Sequence, residues 1–267
     1  MRNVGKRNIA GILIDAVDYE FATDVVFRAA REKRATIVSA LAVHGLMTGV
    51  LEPSQKFRLN HFDLLVPDGQ PVRWALNLLY GTQLPARVYG PTLTLKICAR
   101  AAAEGVPVYF YGSTSEILAA LQQTLKEKFP QLLIAGMESS KFRRLTKQEK
   151  VEVGSRIQDS GATIVFVGLG CPRQEIFAFE FSDILNMPIL AVGAAFPFLA
   201  GKVPQAPSWM QEAGLEWFYR LTCEPRRLWR RYIYLNPIYA FLVALQALGL
   251  ARFSTDGQCP EKELLDG

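Results

Sequence analysis

Short apolar runs rich in β-branched residues alternate along the chain with longer segments whose apolar residues recur at helical spacing. The short runs predict strands over residues 9–14, 36–41, 64–66, 106–112, 132–135, 163–168 and 189–192. The longer segments predict helices over residues 22–32, 91–104, 114–128, 146–160 and 174–185. Strands that alternate with helices form a mostly parallel sheet with helices on both faces. The pattern therefore predicts an α/β fold with a Rossmann-like sheet.

The pattern changes in the C-terminal quarter of the chain. An aromatic helical segment is followed by five arginines between Arg220 and Arg231, and then by a mostly apolar segment over residues 233–250. The polar composition of the last residues predicts disorder. We divide the chain into a Rossmann-like domain over residues 1–201, an arginine-rich appendage with a helix near a membrane over 202–250, and a polar tail over 251–267.

The net charge of the 267-residue chain is +5, and its basic residues are unevenly spread. Basic surfaces bind nucleic acid or anionic membranes. The apolar segment beside the arginines favours a membrane, and the sequence contains no nucleic-acid motif. This segment has about the minimum length for a bilayer span, but Asn236-Pro237, Gln246 and Gly249 interrupt it. We expect an amphipathic helix at the lipid interface; a buried helix and an oligomer contact are the alternatives.

The N-terminus and the cysteines indicate a cytoplasmic protein. Residues 1–14 contain a short apolar run without a small-residue cleavage site, so no secretory signal peptide is expected. The four cysteines are scattered and form no C-x-x-C pair. Disulfides and a zinc site are therefore not expected.

Glycine-rich and polar loops follow several predicted strands, at the edge of the sheet where open α/β proteins bind ligands. Gly168 and Gly170 stand between a strand and a helix, where backbone amides bind phosphate groups. This signal is weak alone because a tight turn needs the same residues. Gln174 and Glu175 add polar side chains there, and they favour contact with a ligand.

Asp68 follows another predicted strand and precedes Gly69. A carboxylate at this edge is well placed to act as a general base, provided that it reaches a substrate hydroxyl. An Asp-Gly turn is the structural alternative, and spacing alone favours the turn. Asp63 is the competing carboxylate, for which a structural role is expected. His44 and His61 have no partner at a spacing that indicates a metal site or a catalytic triad.

The sequence contains no Asp-x-Asp motif of the kind that holds a divalent ion beside a sugar nucleotide. If the substrate carries a diphosphate, positive side chains must neutralise it, and arginines do so with two parallel hydrogen bonds. We therefore expect no metal and no cofactor.

Several sequence strings, taken in order, resemble the bacterial WecG/TagA/CpsF glycosyltransferases, which include teichoic-acid N-acetylmannosaminyltransferases. The resemblance extends from about Ile9 to about Tyr239. The strings that carry it are Val66-Pro67-Asp68-Gly69, Arg87-Val88-Tyr89-Gly90, residues 167–175 (VGLGCPRQE), residues 192–196 (VGAAF), residues 215–221 (LEWFYRL) and residues 224–232 (EPRRLWRRY).

The resemblance implies a metal-independent, inverting transfer of a sugar from a UDP-sugar to an acceptor linked to undecaprenyl diphosphate. It implies a peripheral protein on the cytoplasmic face of the bacterial plasma membrane, in cell-envelope or exopolysaccharide synthesis. It further implies a Rossmann-like domain, a C-terminal appendage that meets the membrane and helps to complete the site, and homo-oligomers.

The resemblance also assigns roles to individual residues. Asp68 matches the family's proposed base. The positions expected to bind substrate are Ser39, Arg87, Gly170, Gln174, Glu175, Arg220, Arg227 and Arg230, the last three being appendage arginines that close over the diphosphate. Arg226 and Arg231 are expected to face lipid headgroups.

Three positions depart from the family's pattern, and one of them is Gln205, which stands where an arginine is usual. Leu41 stands where an asparagine is usual, and Pro197 stands where an aspartate or asparagine is usual. The donor sugar is therefore left open between an N-acetylmannosamine type and a glucose or uronate type. A non-catalytic sugar-nucleotide-binding or scaffold protein is the alternative function. An NAD-dependent oxidoreductase is a second alternative, but the glycine fingerprint of that class is absent.

Overall fold

The computed structural model describes residues 2–267, except for the side chains of Arg227, Arg230 and Arg231. The strands are β1 (Asn3–Ile9), β2 (Ile12–Val17), β3 (Thr36–Leu41), β4 (Leu64–Pro67), β5 (Val108–Gly112), β6 (Ile134–Glu138), β7 (Ile164–Gly168) and β8 (Pro188–Ala191). The helices are α1 (Tyr19–Glu32), α2 (Val43–Leu51), α3 (Pro53–Asn60), α4 (Gln70–Tyr80), α5 (Gly90–Glu104), α6 (Ser115–Lys128), α7 (Lys147–Asp159), α8 (Arg173–Phe181), α9 (Ala195–Leu199), α10 (Ser208–Glu212), α11 (Glu216–Cys223) and α12 (Pro225–Ala247).

Strands β3 to β8 form one sheet in the order β4-β3-β8-β7-β5-β6, and each neighbouring pair is parallel. Side chains on each strand alternate between two cores: Leu65 faces one core, while Leu64 and Val66 face the other. Helices α1, α5, α6 and α9 cover the second core, and α2, α3, α4, α7, α8 and α12 cover the first. The predicted α/β class, with a parallel sheet and helices on both faces, is confirmed.

The predicted strand over residues 9–14 is wrong, because its middle is a hairpin turn. Strands β1 and β2 are antiparallel, with Ile9 opposite Ile12. Ala10 and Gly11 connect them with φ angles of 50° and 94°. Two successive residues with positive φ reverse the chain in a tight hairpin, so the apolar run belongs to two strands. The pair forms a sheet of its own, separate from the parallel sheet.

The hairpin covers the edge of the main sheet. Oδ2 of Asp15 on β2 accepts a hydrogen bond of 2.7 Å from the backbone amide of Leu65 on β4. The same oxygen lies 3.0 Å from Nζ of Lys6. An edge strand with unpaired amides is prone to pair with other chains, and the carboxylate satisfies one of these amides instead.

The C-terminal helix α12 packs on the domain along one side. Tyr239 and Val243 are buried in the first core, and the hydroxyl of Tyr239 donates to the backbone oxygen of Pro71 on α4 over 3.1 Å. Near the end of the helix, Nε2 of Gln246 donates to the Asn8 backbone oxygen over 2.8 Å, and Oε1 accepts from the Ala10 amide over 2.9 Å. The second half of the helix is therefore attached to the folded domain.

The polar tail is not disordered, contrary to its prediction. It runs back over the domain, where Nδ2 of Asn60 donates to the Thr255 backbone oxygen over 2.7 Å. The carboxylate of Glu180 accepts hydrogen bonds of 2.7 and 2.9 Å from the amides of Leu264 and Leu265. The polar composition suggested disorder, but side chains of the domain form hydrogen bonds with the backbone of the tail and hold it in place.

In the described part of the chain, none of the helices has the length and apolar character that crossing a bilayer requires.

Candidate active site

A cleft of about 450 Å³ opens at the carboxyl edge of the sheet, between the loops that follow β3, β4, β5, β7 and β8. Glu216 and Arg220 of α11 line its opposite wall. A narrower cavity extends from it towards α12, and the residues that line both spaces are Ala42, Asp68, Glu216 and Arg220. Asp68 therefore lies where the wide cleft and the narrow cavity meet, and the appendage helps to form both.

Two neighbouring elements position Asp68. Its backbone amide donates to the oxygen of Leu41 over 3.2 Å, which continues the pairing of β4 with β3. Its Oδ1 accepts a 2.7 Å hydrogen bond from the amide of Gly90, the first residue of α5. A Cβ at Gly90 would come within 3.0 Å of the backbone oxygen of Val192. Glycine therefore lets the positive end of the α5 dipole approach both β8 and the carboxylate.

Burial raises the pKa of the Asp68 carboxyl from 3.8 to about 6. The positive charge of Arg87 lowers this pKa, and the negative charge of Glu216 raises it. The Gly90 amide and Arg220 lower it further. The carboxylate is therefore ionised at neutral pH but binds a proton more tightly than an ordinary aspartate, as a general base should.

Arg87 lines the narrow cavity and contacts the appendage directly. Its Nη2 donates to Oε2 of Glu216 over 2.5 Å and to Oε1 of Gln211 over 3.1 Å. Its guanidinium carbon lies 4.2 Å from the centre of the Tyr89 ring. The Tyr89 hydroxyl donates to Oε1 of Glu216 over 3.2 Å. The expected pocket arginine is thus held by a carboxylate that the sequence analysis did not single out.

Arg220, at the last turn of α11, lies over the cleft. Its guanidinium carbon is 5.3 Å from the centre of the Phe198 ring. Its Nε is buried and has no hydrogen-bond partner among the described residues. A buried donor without a partner favours an anionic ligand, because the ligand would replace the water that the donor lost.

The other predicted arginines lie on α12. Arg226 is exposed at its first turn. The side chains of Arg227, Arg230 and Arg231 lie outside the part of the protein that the structure describes. Their expected contacts with diphosphate and lipid therefore stay predictions.

The loop between β7 and α8 forms the floor of the wide cleft. Gly170 lines the cleft with a φ of 81°, a conformation that glycine adopts without strain. Helix α8 begins just afterwards at Arg173, so its N-terminal end is near the floor. Backbone amides at such an end bind phosphate oxygens.

Three polar side chains beside this loop are joined by hydrogen bonds. Nε2 of Gln174 donates to Oε1 of Glu175 over 2.8 Å, and its Oε1 accepts from the Gly193 amide over 3.0 Å. Ser39 is fully buried, and its hydroxyl donates to the same Glu175 oxygen over 3.0 Å. Burial raises the pKa of Glu175. Gln174 and Glu175 line the cleft, whereas Ser39, which was expected to bind substrate, does not line it and contacts the cleft residue Glu175 instead.

Two of the positions that depart from the expected pattern, Leu41 and Pro197, also border the cleft. Leu41 ends β3 and is 1% exposed, because its side chain packs in the first core. Pro197 lies on α9 after β8, and neither residue offers the amide or carboxylate that was expected. In the described part of the chain, no three histidine, cysteine or acidic side chains are grouped so that they could hold a metal ion.

Glu216, Tyr89 and Gln211 were not predicted as site residues. The signal for Glu216 was its place in the aromatic helical string before Arg220, but no spacing rule joins it to Arg87, which lies 129 positions earlier. Only the folded chain brings these three side chains to Arg87.

A parallel α/β sheet with a carboxylate and guanidinium groups at its carboxyl edge suits the transfer of a group from a phosphate-activated substrate. The comparison with protein families gives the particular group. The chain belongs to the Glycosyl transferase WecG/TagA/CpsF family, whose model matches residues 7–252. It is therefore a glycosyltransferase, and its family supports a role in cell-envelope synthesis with a sugar-nucleotide donor and a lipid-linked acceptor. The expected family is confirmed, and the oxidoreductase alternative is removed.

Proposed function

We propose that the protein transfers a sugar from a UDP-sugar to an acceptor linked to undecaprenyl diphosphate, with inversion and without a metal ion. The observation that carries the proposal is the position of Asp68 at the junction of the wide cleft and the narrow cavity. Two substrates that enter from the two sides would meet at its carboxylate.

The wide cleft is the donor side of this proposal. Its volume, its floor at Gly170 and the nearby start of α8 suit a sugar nucleotide with its diphosphate. Leu41 and Pro197 favour a donor that does not need an amide or a carboxylate at these points. An N-acetylmannosamine-type donor and a glucose- or uronate-type donor are the two candidates.

The narrow cavity is the acceptor side. It passes between Asp68 and the first half of α12, where Tyr232 and Asn236 line it. The other side of α12 carries exposed apolar side chains, which are Trp229, Ile233, Tyr234, Ile238 and Phe241. We name these five residues the apolar face of α12. A lipid-linked acceptor could lie with its chain along this face and its sugar in the cavity.

The chemical step needs one displacement. The Asp68 carboxylate takes the proton from the acceptor hydroxyl, whose oxygen attacks the anomeric carbon of the donor sugar. The bond from that carbon to the β-phosphate oxygen breaks, and UDP leaves. Arg220 stabilises the negative charge that develops on the diphosphate, and Arg227 and Arg230 are proposed to assist it. A single displacement inverts the configuration at the anomeric carbon.

Membrane attachment follows from the same surface. The apolar face of α12 would enter the interfacial region of the bilayer, and the exposed Arg226 would contact anionic headgroups. The protein would then be a peripheral protein on the cytoplasmic face of the membrane.

A transfer assay tests the proposal. The purified protein is incubated with single UDP-sugars and a polyprenyl-diphosphate-linked saccharide, and product linkage is read by NMR. We expect transfer from one donor class with inverted anomeric configuration. Donor binding without transfer to any acceptor would instead support the non-catalytic alternative. Retained configuration at the anomeric carbon would contradict a single displacement in which Asp68 acts only as a base.

A further inference from the structure

Glu216 is the one carboxylate on α11 that reaches into the catalytic domain among the residues that the structure describes. Its side chain is 15% exposed, and that of Arg87 is 10% exposed, so little water screens their contact. Gln211 of α10 binds the same guanidinium nitrogen of Arg87. Helices α10 and α11 therefore hold Arg87 from the appendage side.

Asp68 is the other carboxylate near Arg87, yet the two do not form an ion pair. Among the described side chains, no guanidinium or ammonium group lies within 4.0 Å of the Asp68 carboxylate, whose Oδ1 contacts the Gly90 amide instead. A guanidinium between two carboxylates pairs with the one that offers the better geometry. Glu216 offers this geometry because it binds Arg87 together with the Tyr89 hydroxyl.

We propose that Glu216 is a positioning residue that keeps Arg87 from pairing with Asp68, so that the base stays available for the acceptor hydroxyl. The inference rests on the proposed role of Asp68 as the base. It assigns a second task to α11 beyond carrying Arg220, namely to hold the guanidinium of Arg87 away from the base.

The charges around Asp68 agree with this role. The groups that face it are Arg87 and Tyr89 before α5, Glu216 and Arg220 on α11, and Tyr19 on α1, while His44 of α2 lines the same cavity. Of these, the carboxylate of Glu216 raises the pKa of Asp68, whereas Arg87 and Arg220 lower it. Loss of the Glu216 carboxylate would remove a negative charge that raises the pKa of Asp68. It would also release Arg87, whose positive charge lowers that pKa.

The variant Glu216→Gln tests the inference, because it removes the charge and nearly keeps the shape. The pKa of Asp68 is measured by ¹³C NMR of aspartate carboxyls, with Asp68→Asn used to assign its signal, so that no turnover is needed. We expect the pKa to fall by about one unit or more in Glu216→Gln. The acidic limb of the pH profile of kcat/KM should move to lower pH by the same amount, with a lower plateau because the base is weaker.

Two further variants separate charge from shape. Glu216→Asp keeps the charge and should keep the Asp68 pKa within a few tenths of a unit. Glu212→Gln makes the same change on an exposed side chain of α10 and should alter neither the pKa nor the profile. A folded Glu216→Gln protein with an unchanged Asp68 pKa would overturn the inference. If the NMR shift appears but the wild-type protein transfers no sugar, the proposed function fails and the positioning role stands.

Discussion

The backbone amide of Gly90 donates a hydrogen bond of 2.7 Å to Oδ1 of Asp68. This contact joins the start of α5 to the end of β4 and fixes one oxygen of the carboxylate. Asp68 also lines the cleft, where a substrate hydroxyl would lie.

Replacement of Asp68 by asparagine is expected to lower kcat by about 10³-fold, because general bases contribute on the order of 10²–10⁴. The amide oxygen keeps the contact with Gly90, so the affinity for UDP should stay within about twofold of the wild type. Calorimetry gives the affinity, and a transfer assay gives kcat. Asp183→Asn, on an exposed side chain, is the control. Near-normal turnover of Asp68→Asn would remove this residue as the base.

The rate of transfer should depend on pH through the same carboxyl. Since its pKa is about 6, the fraction ionised falls as the pH drops below this value. We expect log kcat/KM to decrease with unit slope below about pH 6 and to level off above it. The profile is measured with saturating acceptor in buffers of constant ionic strength. If log kcat/KM decreased only below about pH 4, burial would not raise the pKa of Asp68.

The raised pKa also predicts that Asp68 destabilises the folded protein. A carboxyl that is harder to ionise in the folded state favours folding while it is protonated, and this stability is lost as the pH rises through the folded pKa of about 6. Asp68→Asn should therefore increase the free energy of unfolding at pH 8 by about 1–3 kcal/mol. Chemical denaturation at pH 8 and at pH 5 checks this, and the gain should shrink at the lower pH. If the gain in the free energy of unfolding were equal at pH 8 and at pH 5, the ionised carboxyl of Asp68 would be excluded as its source.

A metal chelator should not inhibit the enzyme. The expectation follows from Arg220, whose partnerless Nε and position over the cleft suit it to neutralise the diphosphate. Transfer is measured before and after EDTA treatment, and then with added Mg²⁺ or Mn²⁺. A rate that collapses with EDTA and returns with a divalent ion would contradict the arginine mechanism.

Arg220 itself gives a sharper test of the same mechanism. Arg220→Gln is expected to reduce kcat by about 10²-fold, since one stabilising contact to a developing charge has about this effect. Arg220→Lys should recover part of the loss, because it restores the charge but not the paired geometry. Arg226→Gln, at an exposed position, serves as the control and should keep the full rate with a soluble short-chain acceptor. Equal rates for Arg220→Gln and Arg226→Gln would remove Arg220 from the mechanism.

Membrane binding is expected to depend on the apolar face of α12. Removal of the whole helix would expose the core contacts of Tyr239 and Val243, so surface substitutions are the cleaner test. The double variant Ile233→Ser and Phe241→Ser should lower binding to anionic vesicles at least tenfold in a flotation assay, because both side chains are exposed.

Transfer to a soluble short-chain acceptor should be unchanged in this variant. The matched control replaces Leu133 and Val151, which are equally exposed but lie outside the appendage. If both double variants bind vesicles like the wild type, α12 does not hold the protein on lipid.

The sequence predicted those parts of the fold that depend on local pattern. Strand β3 was predicted with its exact bounds, and the other five strands of the parallel sheet were found within a few residues. The hairpin was missed because Ile9 and Ile12 flank a turn of only two residues and read as one apolar run. Helix α2 was missed because Gly45 and Gly49 weaken its helical pattern.

The candidate site was less accessible to sequence reasoning. Asp68 was a candidate because it follows a strand, where ligand sites of parallel sheets lie, but spacing alone favoured a turn and its role as base came from the family resemblance. The burial of Ser39 under Glu175 could not be predicted, since it depends on how α8 packs against β3. The same holds for Glu216, whose partner Arg87 is distant in sequence. Pattern locates the edge of a sheet, but long-range packing decides which side chains are brought together there.

Helix α12 is held on the domain by Tyr239 in its second half and by Gln246 near its end. Contacts at two points fix how the helix lies against the domain. For a protein that rests on lipid through such a helix, the distance from the bilayer surface to Asp68 is a constant of the fold. The enzyme would then accept only those lipid-linked saccharides whose reactive hydroxyl lies as far from the bilayer surface as Asp68 does.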